Sequence, residues 1–193
     1  ALQEWLRPRL VEQGVSERAR LSVQQILARS RPSSGDTDDP ENRVAFARIW
    51  PHLSACEAGT STDPQVRQLL HDQVRHLTLT GQLTEAEQLA RSLLEVWSEA
   101  SGPNDRTVLR LRFLLANVLR SIGRAREAYE IDDDVVAKQK EVLPETHPEV
   151  LNTLASVGAD QRALGRFQDA LETDRYCYEV TRRSTEHGRA ALR

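Results

Sequence analysis

Apolar residues recur at intervals of three and four along much of the chain, a spacing that places them on one face of an α-helix. In one stretch they stand at Val108, Leu111, Leu115, Leu119 and Ile122. After Gly123 a second stretch carries Ala128, Ile131, Val135, Val136 and Val142. The pattern predicts two amphipathic helices of about 17 residues each, with a turn at the glycine.

This pair of helices recurs with a period of 42 residues. Three columns keep the period: Gly81, Gly123 and Gly165; Ala86, Ala128 and Ala170; Val66, Val108 and Val150. Self-similarity at this spacing is typical of solenoids built from stacked units. The sequence therefore predicts an all-α, helix-turn-helix solenoid with repeats at 62–103, 104–145 and 146–187 and a tail at 188–193.

Residues at the start of each repeat are suited to helix N-termini. Thr62, Asn104 and Thr146 are predicted N-caps, and Pro64 and Pro148 suit a first helical turn, where no backbone N–H is needed. The alanine column predicts a close helix crossing, because a larger side chain there would overpack the contact.

Residues 1–61 lack the repeat. Amphipathic helices are predicted at about 2–10, 16–28 and 41–58. Ser16 is the expected cap of the second, Pro51 is expected to kink or split the third, and the polar segment 31–40 is expected to form a loop. The region is interpreted as an irregular helical cap on the first repeat, with a separate small domain as the alternative.

Three strings within the repeats carry a family resemblance: 80–86, 122–128 and 164–170, which share a glycine followed five residues later by alanine. Together with the helix opener at 144–150, they resemble the tetratricopeptide repeat in its 42-residue, kinesin-light-chain form. That resemblance implies a right-handed superhelix that binds proteins or peptides and has no catalytic role.

A second resemblance lies in the N-terminal third. Residues 38–43 and 49–53 are similar to the segment that joins an NB-ARC-type (STAND) nucleotide-binding module to tetratricopeptide repeats in actinobacterial regulators, including those of FxSxx-COOH peptide systems. The chain contains no methionine, so we expect it to be part of a longer protein. The resemblance implies an upstream ATPase module for which these repeats act as sensor or partner platform.

The chain departs from kinesin light chain inside the first helix of each repeat. That family has an asparagine pair there that contacts peptide backbone, whereas this chain has His71-Asp72, Phe113-Leu114 and Ala155-Ser156. The family's peptide ladder therefore does not carry over.

The charge balance narrows the choice of partners. With 26 Lys and Arg against 29 Asp and Glu, the net charge is −3, so no overall positive field favours nucleic acid or an anionic membrane. No apolar run approaches the roughly 20 residues of a membrane span. We expect a cytoplasmic protein that binds neither nucleic acid nor membrane.

Sequence signatures of catalysis and of cofactor binding are missing. There is no Gly-x-x-x-x-Gly-Lys-Ser/Thr phosphate loop, no His-Glu-x-x-His zinc motif and no Gly-x-Ser-x-Gly elbow. We therefore expect no enzyme activity, no cofactor and no metal.

Several titratable residues receive structural interpretations. Asp132–Asp134 is interpreted as a solvated acidic stretch early in a helix, because consecutive helical residues cannot converge on one ion. His147 is interpreted as a capping or exposed residue. Cys56 and Cys177 are expected to be buried, reduced thiols.

The remaining candidate surface is the face that the first helix of each repeat turns toward the concave groove. Counting back 13, 10, 6 and 3 residues from each glycine selects twelve positions without a carboxylate. The candidate ligand-binding residues among them are His71, Arg75, Arg110, Phe113, Asn117, Arg120, Asn152 and Arg162. Arginine forks, amides and one aromatic ring favour an acidic peptide or a free C-terminal carboxylate. The open alternative is that these arginines are solvated or pair with aspartates elsewhere in the chain.

A different class of function is a structural or oligomerisation element. Trp5, Trp50 or the end after Ala191 would then pack on another chain or on the ATPase module. On either hypothesis we expect a monomer or weak dimer.

Overall fold

The structure is a computed structural model that describes residues 15–32 and 37–191. Within these ranges every regular element is helical, which confirms the all-α class. The α-helices are α1 Val15–Arg29, α2 Arg43–Ala55, α3 Pro64–Leu79, α4 Leu83–Ser101, α5 Arg106–Ile122, α6 Ala125–Val142, α7 Pro148–Ala163 and α8 Phe167–Ala191. Single 3₁₀ turns lie at Pro40–Asn42 and Ala58–Thr60.

The chain divides into two compact units, 1–82 and 83–193. The division lies between α3 and α4, the two helices of the first predicted repeat. The boundaries predicted from the sequence at 61/62 and 187/188 stay predictions.

In the 83–193 unit each helix packs against the next one in sequence, from α4 to α8. The alanine column is fully buried in this unit, as a close helix crossing requires. The valine column is buried as well, at Val108 and Val150. The alanines and valines that repeat every 42 positions in the sequence are therefore residues of the buried core.

The glycine column ends the first helix of each predicted repeat. Gly123 has φ 92°, a left-handed conformation that side chains with a β-carbon rarely adopt. The next N–H, that of Arg124, then donates to the carbonyl of Leu119 at 2.9 Å. The same bond recurs from Gln82 to Leu77 and from Arg166 to Gln161, so the turns share one hydrogen-bonding pattern.

The predicted N-caps are wrong by one residue. Asp63 and Asp105, not Thr62 and Asn104, cap α3 and α5, and each carboxylate accepts two backbone N–H bonds. At α7 the cap is His147 rather than Thr146, and its Nδ1 accepts from the N–H of Glu149 at 3.2 Å, which confirms the interpretation of His147 as a capping residue. A carboxylate or imidazole acceptor here takes the capping position from the preceding Thr or Asn.

In the 1–82 unit, α1 and α2 pack against α3. Phe46 of α2 stacks on His76 of α3 with ring centroids 5.5 Å apart. Arg31, just after α1, forms an ion pair with the buried Asp72 of α3.

The helices predicted for this unit are confirmed in part. α1 begins one residue before the predicted cap Ser16, and α2 runs through Pro51 without being split. The predicted helix at 2–10 and its Trp5 lie outside the described residues.

Gly158 lies inside α7, and a β-carbon there would stand 2.7 Å from Asp174 Oδ1. That atom ends a half-exposed side chain, and Ala116 holds the equivalent position one repeat earlier. We expect Gly158→Ala to raise the free energy of unfolding by about 0.5–1 kcal/mol, because alanine restricts the unfolded chain and favours helix. Urea unfolding followed by circular dichroism measures this, and a loss above about 1 kcal/mol would show that Asp174 cannot move aside.

Candidate peptide-binding face

The predicted face on α5 and α7 is accessible along both helices. We call it the helix-A face and define it as Arg110, Phe113, Asn117, Arg120, Asn152, Ala155, Ala159 and Arg162, all of which are exposed or partly exposed. Neighbouring positions such as Leu111, Leu115 and Leu154 are buried. The three- and four-residue spacing thus separates a core side from an open side on each helix.

Ion pairs join α5 and α7 at both ends of the helix-A face. Near their N-termini, Arg106 Nη2 lies 2.9 Å from Glu149 Oε1, and Arg106 Nε lies 3.2 Å from Oε2. Near their C-termini, Arg120 pairs with Asp160. The two accessible stripes therefore lie side by side as one surface.

Arg120 is the most heavily bonded residue of the helix-A face. Its Nη1 donates to Asn117 Oδ1 and its Nη2 to Asp132 Oδ2, each at 2.6 Å. Its Nε and Nη2 donate to the two carboxylate oxygens of Asp160, at 2.6 and 3.0 Å. One guanidinium thus connects α5, α6 and α7.

Both aspartate partners of Arg120 have 0% exposed side chains. Burial raises the pKa of Asp132 to about 8, an effect that Arg120 opposes and the nearby Asp160 strengthens. The interpretation of Asp132 as part of a solvated stretch is therefore wrong, because this residue faces the interior in the middle of α6.

The same Arg–Asp pair recurs 42 residues later with a different exposure. Arg162 Nη1 lies 2.5 Å from Asp174 Oδ2, but these side chains are 48% and 47% exposed. Arg162 therefore lies at the surface of the 83–193 unit, whereas Arg120 is partly enclosed.

Aspartates elsewhere in the chain pair with Arg120 and Arg162 and lower the positive charge of the helix-A face, in agreement with the alternative that the sequence left open. Asp132, Asp160 and Asp174 come from other helices or from other sides of the same helix, so counting along one face does not find them. A usable signal exists in the sequence. The spacing of 12 residues from arginine to aspartate occurs at Arg120–Asp132 and again one repeat later.

The two candidate residues of the first predicted repeat, His71 and Arg75, belong to the 1–82 unit. Arg75 is exposed and forms a two-point ion pair with Asp38, at 2.8 and 2.6 Å. Its hydrogen bond lowers the pKa of that carboxyl. His71 is buried in α3 and offers no surface to a ligand.

Metal ligation and thiol reactivity have little support among the described residues. No three His, Cys, Asp or Glu side chains converge as metal ligands there, and no helix among those residues is long and apolar enough to span a membrane. Cys56 is buried and Cys177 partly buried, and both are free thiols. Burial raises the pKa of each thiol, which disfavours the reactive thiolate.

Comparison with known proteins places these helices in a repeat class. The tetratricopeptide repeat family matches at residues 114–149. The fold is that of a tetratricopeptide-type solenoid. No match is found among curated protein sequences.

Solved structures of similar fold align with nearly the whole chain. One crystal structure contains nearly identical TPR-like repeats assigned to a kinesin light chain of Podosopora anserina, with a single substitution. It aligns at 20% identity over 95% of each chain, with a TM-score of 0.60. A second structure of those repeats aligns at 21% identity over 94% of each chain, with a TM-score of 0.56. BtubC (BKLC) from P. vanneervenii aligns at 14% identity over 93% of this chain and 77% of its own, with a TM-score of 0.62. These TM-scores indicate a shared fold.

Proposed function

We propose that this chain is a non-catalytic protein-binding scaffold whose helix-A face binds an acidic segment or a free C-terminal carboxylate. The observation that supports it is the pair of adjacent, accessible stripes on α5 and α7. They bring arginines, amides and one aromatic ring onto one surface.

The residues divide into ligand contacts and a positioning residue. Arg110 and Arg162 are exposed and supply the charge, Asn152 supplies an amide for the peptide backbone, and Phe113 supplies an apolar seat. Arg120 holds α5 and α7 together rather than meeting the ligand first. Two charged hydrogen bonds, less the cost of ordering the peptide, correspond to micromolar binding.

We further propose that the scaffold is the sensor or partner-recognition region of a larger, cytoplasmic NB-ARC-type ATPase regulator. The resemblance of residues 38–43 and 49–53 supports this proposal. In the longer protein, a peptide that binds the helix-A face should change the rate of ATP hydrolysis. A rate that stays constant at saturating peptide would contradict the regulatory role.

Peptide titrations test the helix-A face directly. We expect peptides ending in acidic residues to bind, and Arg110→Glu and Arg162→Glu each to weaken binding at least about tenfold, because each replaces an attractive contact by a repulsive one. Fluorescence anisotropy with labelled acidic and basic peptides gives the Kd values, and circular dichroism checks the fold.

The matched control is Arg126→Glu, which makes the same charge change at an exposed position of α6 away from the helix-A face. It should leave the Kd within about twofold. Equal losses in all three variants, or equal binding of basic peptides, would contradict the assignment.

A further inference from the structure

Helix α8 presents an apolar stripe to solvent. Phe167, Leu171 and Tyr178 are 70%, 52% and 68% exposed, and their spacing of four and seven residues places them on one side of the helix. Isolated exposed apolar residues are common, but a stripe of three large ones on one helix face marks an interaction surface.

The preceding repeat shows what covers the equivalent stripe there. Residues 42 positions earlier, Tyr129 and Val136 of α6, correspond to Leu171 and Tyr178. Val136 is buried in a cluster with the α7 residues Val150, Leu154 and Val157, and Tyr129 packs against that cluster. The face of α6 is thus covered by an amphipathic helix whose apolar residues follow the spacing i, i+4, i+7.

Charged residues extend the comparison: Asp174 lies within the stripe, between Leu171 and Tyr178, and Arg162 lies beside it. Arg120 binds Asp132 of α6 and also Asp160, which follows Val150 at i+10 on the covering helix. Arg162 repeats the first of these contacts, with Asp174 of α8. A helix that covered α8 as α7 covers α6 would bring its i+10 residue to Arg162.

We propose that the outer stripe of α8 docks an amphipathic helix of a partner protein, with apolar residues at i, i+4 and i+7 and a carboxylate at i+10. This surface is separate from the peptide contacts assigned to the helix-A face, apart from Arg162 at its edge. A second copy of the chain fits less well, because its own α8 stripe has Asp174 at i+7 from Phe167.

The sequence of α7 itself supplies the probe. A labelled peptide of residues 146–164, held helical by a lactam bridge between positions 155 and 159, is titrated into the full chain. The bridge is needed because a helix this short is marginal by itself. We expect micromolar binding that the double variant Leu171→Glu/Tyr178→Glu weakens at least about tenfold.

Two matched changes complete the experiment. Val142→Glu alters an exposed apolar residue of α6 outside the stripe and should leave the Kd within about twofold. In the peptide, Asp160→Lys should weaken binding about tenfold, because it replaces attraction to Arg162 by repulsion.

Three outcomes would overturn the proposal. Absence of binding would show that the stripe does not accept such a helix. Binding that is insensitive to the α8 double variant would show that the peptide displaces the chain's own α7 instead. Self-association in light scattering, lost in the double variant and accompanied by no peptide binding, would assign the stripe to a second copy.

Discussion

Replacing Arg120 by alanine is expected to lower the free energy of unfolding by about 3–5 kcal/mol at pH 8, because it leaves the buried carboxyl groups of Asp132 and Asp160 without their cation. Asp132 and Asp160 are both fully enclosed, and both receive their ion pair from this one guanidinium. The loss also removes the ion pairs by which Arg120 connects α5 to α6 and α7. Urea unfolding followed by circular dichroism gives the change.

The chain contains its own control for this substitution. Arg162→Ala removes the equivalent arginine one repeat later, where both partners are about half exposed. Surface ion pairs contribute little, so we expect a loss of at most about 1 kcal/mol. Similar losses for the two variants would contradict the view that burial, rather than pairing alone, makes Arg120 important.

Stability is expected to fall as the pH rises from about 4 to about 8, because of Asp132. An aspartate in the unfolded chain has a pKa of about 4, whereas burial raises the pKa of Asp132 in the folded chain to about 8. Between these values the folded state holds a proton that the unfolded state has released. Its stabilising contribution is complete below the lower pKa and is lost as the pH passes through the upper one, by up to about 1.4 kcal/mol per pH unit.

Asp132→Asn isolates this effect, because asparagine cannot ionise and still accepts a hydrogen bond from Arg120. We expect the variant to lose the fall in stability between pH 5 and 8. Asp133→Asn, at the exposed neighbouring position, should keep it. Urea titrations at several pH values measure the slopes, and an unchanged slope in Asp132→Asn would assign the pH dependence to another group.

Much of the fold could be predicted because the repeat columns report directly on packing. The buried valines and alanines and the left-handed glycine that ends α5 each have one physical role per repeat, so their period identifies the helices. Helix starts were less predictable. Thr, Asn, Asp and His can all cap, and only the backbone path decides which of two adjacent side chains reaches the first free N–H groups.

The sequence could predict which residues of a single helix form the candidate site, but not the contacts those residues make with other helices. Helical spacing selects the accessible stripes of α5 and α7, and these are accessible in the structure. The partners of Arg120 could not be found in that way, because Asp132 and Asp160 reach it from two other helices. Whether a side chain is free to bind a ligand depends on such contacts between elements.

Helix α3 has a practical consequence for anyone who wishes to shorten the chain. More than half of its residues are buried, and α1 and α2 provide part of that cover. A chain cut at the predicted repeat boundary, before residue 62, would expose the ring of His76 and take Arg31 away from the enclosed carboxylate of Asp72. Any piece that contains α3 should therefore start upstream of α1, even when only the repeats are wanted.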